Sequence, residues 1–325
     1  MPDLITHYLF AKEAMIKMNK QDQIQPHRAL YDLGCNGPDF FFYYHILPWQ
    51  SKTNKEAIHH LGSLLHQRKI NDFFECLFNA VKQDPSSINY IYTIGYFAHY
   101  FLDRKAHPYI FYFSGVVDES NPSTFIYKYW HKRFEVAIDE NMLIEKEKTT
   151  IKQFHPAKII RAKEIPLDSL YSFLQPLYQK TFNYQISKED FNDSIIQFEQ
   201  DLKLLYSKKK WKKKIMLKVE KIFNIDPLVS TAMYSIEKEN IDFLNLEKKI
   251  WYDPCTKEIR NESFLELYDQ ALDEYIEFVE KFDAYLQDKI EIDELLKQIN
   301  GLSFETGHQE EFKLKYSRCV YENGK

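Results

Sequence analysis

From Pro85 to Leu102 no side chain carries a formal charge, and Ile, Tyr and Phe dominate. The run contains His99, and its apolar part is shorter than the ~20 residues a membrane helix needs. The pattern instead predicts a helix over Ile88–Lys105 that is apolar nearly all round, so other elements must cover it on every side. Pro108 disfavours helical backbone at the residue before it, so this helix is expected to end near His107.

Composition favours helices elsewhere too. The 325 residues include only 8 Gly and 12 Pro, against 25 Phe, 23 Tyr and 4 Trp, which leaves few turns and favours long helices over many short strands. Ile70, Phe73, Phe74, Leu77, Phe78 and Val81 form one apolar stripe. Asn121-Pro122-Ser123-Thr124 is a start signal for a helix running through His131 to about Met142. Ser263 and Glu266 form a capping box for a helix from Phe264 to about Leu286. Strict alternation is rare, and no Asn-Gly hairpin joins apolar strands. Leu33 to Asp39 reads as a loop, and the lysine-rich stretch from Glu145 to Lys163 as surface. No Gly/Ser/Pro linker divides the chain. A single multi-helix domain over 1–325 is therefore expected, helical through its C-terminal part, 143–325; the motifs compared below concentrate in 1–142.

The charge balance, 43 basic against 48 acidic residues or −5, argues against a nucleic-acid coat protein, and a stable nucleic-acid complex is not expected. It leaves room for an enzyme with a cationic pocket. Cys35, Cys76, Cys255 and Cys319 are widely spaced without a CxxC pair, so neither a disulfide framework nor a thiolate metal site is expected. Met1 to Lys20 lacks the pattern of a signal peptide, and a cytoplasmic location is the expectation. One run stands out, Ser207-Lys208-Lys209-Lys210-Trp211-Lys212-Lys213-Lys214. A solvated face is its simpler reading. The alternatives are peripheral contact of Lys208 to Lys214 with an anionic membrane and contact with a nucleic-acid backbone.

Histidines and carboxylates carry the chemistry. His99 and Asp103 are i, i+4 on the central helix, with His107 extending the line. His131 and Glu135 repeat the spacing on the next helix, with Asp139 one turn on. Each pair offers a nitrogen and an oxygen ligand suited to zinc. One such pair is ordinarily a solvated salt bridge. The first, however, ends an uncharged stretch, where burial demands a partner. That partner is either a metal ion or a simple His–Asp hydrogen bond, and spacing alone leaves both open. His27, His155 and His308 sit in polar surroundings and are expected at the surface.

Read in order, the motifs resemble a known family. Met1-Pro2-Asp3-Leu4-Ile5-Thr6-His7, Gly37-Pro38-Asp39-Phe40-Phe41-Phe42-Tyr43-Tyr44 and Gly62-Ser63-Leu64-Leu65-His66 look like the opening of zinc-dependent phospholipase C. Gly95 to Asp103 with His107-Pro108-Tyr109, then His131-Lys132-Arg133-Phe134-Glu135, continue it. Trp251 to Pro254 and Asn261 to Ala271 resemble the C-terminal part of bacterial members. The likeness is dense to about Met142 and thinner to about Leu286.

The resemblance implies the all-helical fold of secreted phospholipase C and the P1-type nucleases, with zinc ions that serve phosphate-ester hydrolysis. Carried over, Asp39, His66, His99 and Asp103 hold one zinc, with His60 the substitute for His66. His107, His131 and Glu135 hold a second. His7 binds a third, bridged by Asp103. Asp39 also orients or deprotonates the attacking water. In secreted members the new N-terminal amine and carbonyl chelate the third zinc. Here only six residues precede His7, so that site is absent, weaker or built otherwise, with Asp3 a candidate, and two or three ions are expected. The implied activity is phospholipase C-like, acting on a phospholipid or other phosphate ester as a phosphodiesterase. The alternatives are a nuclease or nucleotidase on the same fold, and a non-catalytic metal-binding module. Phe40 to Tyr44, Tyr100 and Tyr109 are core residues on the simpler reading and an entrance lining on the other.

Overall fold

Helices make up nearly all the regular structure of the computed structural model, whose described residues are 3–47, 50–51, 53–205, 210–222, 227–234 and 240–322. In chain order they begin with α1 (Leu4–Lys17), α2 (Gln21–Ile24), α3 (Arg28–Gly34), α4 (Lys55–Gln67) and α5 (Ile70–Gln83). The centre is formed by α6 (Ser87–Ser114) and α7 (Tyr127–Glu147). There follow α8 (Leu167–Phe182), α9 (Lys188–Leu205), α10 (Lys210–Ile222), α11 (Leu228–Ala232), α12 (Phe264–Leu286) and α13 (Ile292–Ile299). The fold is all-α. Its one sheet among the described residues is an antiparallel pair, β1 (Trp251–Tyr252) and β2 (Ile259–Arg260).

The uncharged run becomes the middle of α6, and α1, α3, α5, α7, α8 and α12 pack around it. Ser86 caps its start by accepting from the Asn89 N–H. The expected stop at His107 does not occur: α6 continues through Pro108 for another turn and a half. Proline removes the N–H that would bond the Arg104 carbonyl, at a cost of about 3 kcal/mol in a helix interior. Burial outweighs that cost, because Tyr109, Ile110, Tyr112 and Ser114 beyond it are all buried. Gly307, at φ +67, lies against that carbonyl, where a Cβ would come within 2.5 Å of the oxygen.

Two glycines set the approach of α3 to α6. A Cβ at Gly34 would stand 2.5 Å from the Tyr92 carbonyl oxygen, and one at Gly95 would stand 2.7 Å from that of Tyr31. The backbones therefore touch, which fixes where the chain leaves α3 for the turn at Asp39.

The α5 stripe from Ile70 to Val81 is buried as its spacing requires. The capping box of α12 is present in both directions: the Ser263 side chain accepts from the Glu266 N–H, and the Glu266 carboxylate accepts from the Ser263 N–H. The helix start near Asn121 holds, with a 3-10 turn (Pro122–Ile126) before α7. Two expectations need correction. The small hairpin was hidden because its turn depends on Asp253, whose Oδ1 accepts from the Cys255 and Thr256 N–H groups, rather than on an Asn-Gly pair. The stretch from Glu145 to Lys163 is not all surface, since Ile151, Ile159, Ile160 and Ala162 enter the core. Their irregular spacing suits 3-10 turns and no helix face. All four cysteines are free. Among the described residues no helix is long and apolar enough to cross a membrane.

The glycine contact gives a test. Gly95→Ala is expected to destabilise the protein by about 2 kcal/mol through overpacking, read as a lower urea midpoint at unchanged slope. An unchanged midpoint would show that the two helices have room to separate.

Candidate metal centre

Five separate elements deliver the eight residues singled out in the sequence. His7 comes from α1, Asp39 opens a 3-10 turn (Asp39–Tyr43), and His66 sits in the last turn of α4. His99, Asp103 and His107 descend one face of α6, and His131 and Glu135 sit on α7. The continued helix explains how His107 stays in line with His99 and Asp103.

They converge as three sets, each with ligand atoms within 4.8 Å of one another: His7, His99 and Asp103; Asp39, His66 and His99; His107, His131 and Glu135. Asp103 faces both ways. Its Oδ1 is 3.1 Å from His7 Nε2 and its Oδ2 is 3.1 Å from His99 Nε2. Asp39 Oδ1 is 3.2 Å from His66 Nε2, which is 3.4 Å from His99 Nε2. Glu135 Oε1 is 2.9 Å from His131 Nε2. Tetrahedral zinc with bonds of about 2.0–2.1 Å sets its ligand atoms roughly 3.3 Å apart, close to these spacings.

Backbone carbonyls settle which imidazole nitrogen is free. His66 Nδ1 lies 2.7 Å from the Gly62 carbonyl oxygen, and His107 Nδ1 lies 2.6 Å from that of Phe304. A carbonyl only accepts, so each Nδ1 carries the proton and each Nε2 keeps its lone pair turned to the cluster. Burial pushes His7 down to about 4 and holds His99 and His107 well below the usual imidazole range. Neutral imidazole is the form that binds metal.

The carboxylates are where a cation is required. Burial drives Asp103 well above the usual carboxylate range. Both its oxygens, Asp39 Oδ1 and both nitrogens of His7 have no hydrogen-bond partner among the described residues. A buried acceptor left so costs roughly 1–3 kcal/mol, and more when charged. A simple His–Asp hydrogen bond does not meet this need, whereas nitrogen and carboxylate donors around zinc do. For Glu135, burial pulls upward, but nearby positive charge, His131 and Lys132 included, holds it well below the usual range.

Several partners had no sequence signal. Lys132 Nζ lies 3.0 Å from Asp3 Oδ2 and 3.4 Å from Glu135 Oε2. Phe304 both accepts from His107 and donates its N–H to the His66 carbonyl. Gly37, at φ +48, lies so close to His99 that a Cβ would fall 2.1 Å from the ring. The order Gly-Pro-Asp was visible, but not what the glycine touches. Asp139, next in line after Glu135, serves α1 instead: its carboxylate accepts from the Ile5 and Thr6 N–H groups, the Thr6 hydroxyl and the Tyr234 hydroxyl.

Of the competing histidines, His60 is exposed and outside the three sets, and His66 is the one grouped with Asp39 and His99. His27, His155 and His308 are half-buried rather than at the surface. His308 Nε2 meets Asp253 Oδ2 at 3.0 Å, which ties the C-terminal segment to the hairpin turn. Cys255 completes a fourth donor set there.

Two cavities flank the cluster. One of about 190 Å³ is lined by Asp3, Asp39 and Lys132, then by Phe42, Tyr43 and Val229 among other apolar residues. The other, of about 460 Å³, touches His66, His107, His131 and Glu135. Phe42 lines both. Phe40, Phe41, Tyr100 and Tyr109 are fully buried core residues.

Residues 6–188 match the family described as zinc dependent phospholipase C. That is more than half of the 325 residues, and the chain belongs to this family. No curated protein and no solved structure matches it. The donor types of the three sets are those zinc takes.

Metal analysis by inductively coupled plasma is expected to find two or three zinc ions per chain, with at least one lost in a His99→Ala/Asp103→Ala variant. Gly37→Ala is expected to displace the His99 ring and lower zinc content while the far-ultraviolet spectrum stays helical. Wild-type protein without zinc, expressed with zinc supplied, would overturn the assignment of the cluster.

Proposed function

We propose that this chain is a zinc-dependent hydrolase of phosphate esters, with phospholipids as its first substrate class. The supporting observation is the contact between a buried donor cluster and an apolar cavity through one residue, Asp39. Zinc, when bound, lowers the pKa of a coordinated water toward about 7 and neutralises charge on the phosphate.

The protein's own groups do the rest. Asp39 stands between the ligand set and the cavity, so its carboxylate both completes the set and accepts the proton of the attacking water. Water oxygen bonds phosphorus as the bond to the leaving oxygen breaks, and solvent protonates the leaving alkoxide. Lys132 lines the same cavity and presents a cation to the phosphate. Burial works against that charge, but Asp3 and Glu135 hold its pKa well above the usual range. Leu4, Ile46, Phe198 and Leu205 line the same cavity and suit an alkyl chain.

A nuclease or nucleotidase would use the same donors and could stack a base on Phe42, Tyr43 or Phe198. Most of the apolar wall is aliphatic, however, and the net charge of −5 disfavours a polynucleotide. A non-catalytic metal module would need no cavity at Asp39. The reading includes a cytoplasmic location, supported by four free thiols.

The zinc-loaded protein is expected to hydrolyse p-nitrophenyl phosphorylcholine or bis-p-nitrophenyl phosphate, to stop with a chelator and to recover with zinc. Asp39→Asn should lower kcat by about 10²–10⁴-fold, with zinc content measured alongside to separate ligation from proton transfer. Activity on neither diester, nor on p-nitrophenyl phosphate or single-stranded DNA, in protein carrying its full zinc would favour a structural metal.

A further inference from the structure

We propose that α10 is an interfacial helix that docks the protein on an anionic lipid surface. Its sequence, Lys-Trp-Lys-Lys-Lys-Ile-Met-Leu-Lys-Val-Glu-Lys-Ile, carries six lysines and one acid. The inner face is occupied. Met216 packs on Leu47, Leu205, Val229, Ala232 and Met233, and the buried Glu220 carboxylate accepts from the Ser230 N–H at 3.0 Å. The outer face is not what a solvated helix presents. Trp211, Ile215 and Ile222 follow the i, i+4, i+11 spacing of one stripe and are 53%, 50% and 77% exposed. Lys212, Lys214, Lys218 and Lys221 are exposed on and beside that stripe.

With its acid turned inward, the helix presents a wholly basic outer charge on a chain of net charge −5, complementary to anionic headgroups. Exposed isoleucines flanked by lysines suit the acyl boundary of a membrane, with the lysine stems extending outward to place their ammonium groups at the headgroup level. A nucleic-acid backbone would use the charge and the tryptophan, but would leave the isoleucines in water. The position fits as well, since Leu205, Val229 and Ala232 beneath the helix also line the cavity that touches Asp39. Lys208 and Lys209, part of the basic run in the sequence, lie outside the described residues.

The inference draws its purpose from the lipid reading of the active site, but its test needs no catalysis, so either can fail without the other. Full-length zinc-loaded protein is sedimented with vesicles of phosphatidylcholine alone or with about 30% phosphatidylserine. Binding is expected only to the anionic vesicles, falling as salt rises. Changing Lys212, Lys214, Lys218 and Lys221 together to Gln should weaken it roughly 100-fold or more. Trp211→Glu with Ile222→Glu should weaken it about 10-fold or more. Matched melting curves and zinc content show that both variants remain folded. Equal binding to both vesicle types, or no loss in the lysine variant, overturns the proposal. Undiminished binding of the glutamate variant reduces the contact to loose charge attraction and overturns it too. Binding of a single-stranded oligonucleotide, with none to vesicles, replaces the membrane by a nucleic acid.

Discussion

A carboxylate held without hydrogen-bond donors at the centre of the bundle is the constraint on which the rest depends. Asp103 is fully buried on α6 at the end of an uncharged run, and the Arg104 and Lys105 that follow it pair with Glu274 instead. Alone, Asp103 would be neutral or would unfold its surroundings. The imidazoles in contact with it, His7 and His99, are kept neutral by burial and cannot serve as counter-ions. His66, whose pKa Asp39 raises against burial, is paired with Asp39. A cation is the species that turns mutually unhelpful groups into partners, and it explains why α1, α4, α7 and the Asp39 turn all send a donor inward. Metal affinity and fold stability are then one quantity: ligands from five elements cannot assemble in the unfolded chain.

Second-layer contacts make the geometry specific. The carbonyls of Gly62 and Phe304 orient two imidazoles, and Phe304 also donates to the His66 carbonyl, so a segment far along the chain links two ligands. Gly37 abuts the His99 ring, and the Gly34–Gly95 contact sets the height of the turn that carries Asp39. Side chains at these glycines would not remove a ligand. They would move one by an ångström or more, which zinc bond lengths do not tolerate.

This division between donors and supports matches what was legible in the sequence. The i, i+4 pairs His99/Asp103 and His131/Glu135 follow from helix geometry and could be read locally. That His7, Asp39 and His66 join them could not be read from spacing, because contacts across long loops leave no period; the ordered motifs supplied that link. The carbonyl of Phe304 was invisible because every residue has one. The Lys132–Asp3 pair was obscured because lysine beside histidine on a helix ordinarily faces water. The helix end at Pro108 was misplaced because local propensity speaks for a few kcal/mol, and burial of the next turn outweighs it.

The two cavities extend the same logic to substrate. Phe42 lines both of them, one shared with Lys132 and a mixed aliphatic and aromatic wall, the other with Lys128 and Glu305. In-line displacement on a phosphodiester sets the attacking water opposite the leaving oxygen and leaves the second substituent to one side, so the two arms of the ester point in different directions. On the proposed reading, one arm of a diester meets the apolar wall beside Lys132 and the other meets Phe111, Val117 and Tyr127 with the charges of Lys128 and Glu305 at hand, the phosphate lying between Asp39 and Lys132. A symmetric or wholly polar ester would leave one wall unsatisfied, so selectivity would come from the division of the site more than from any single contact.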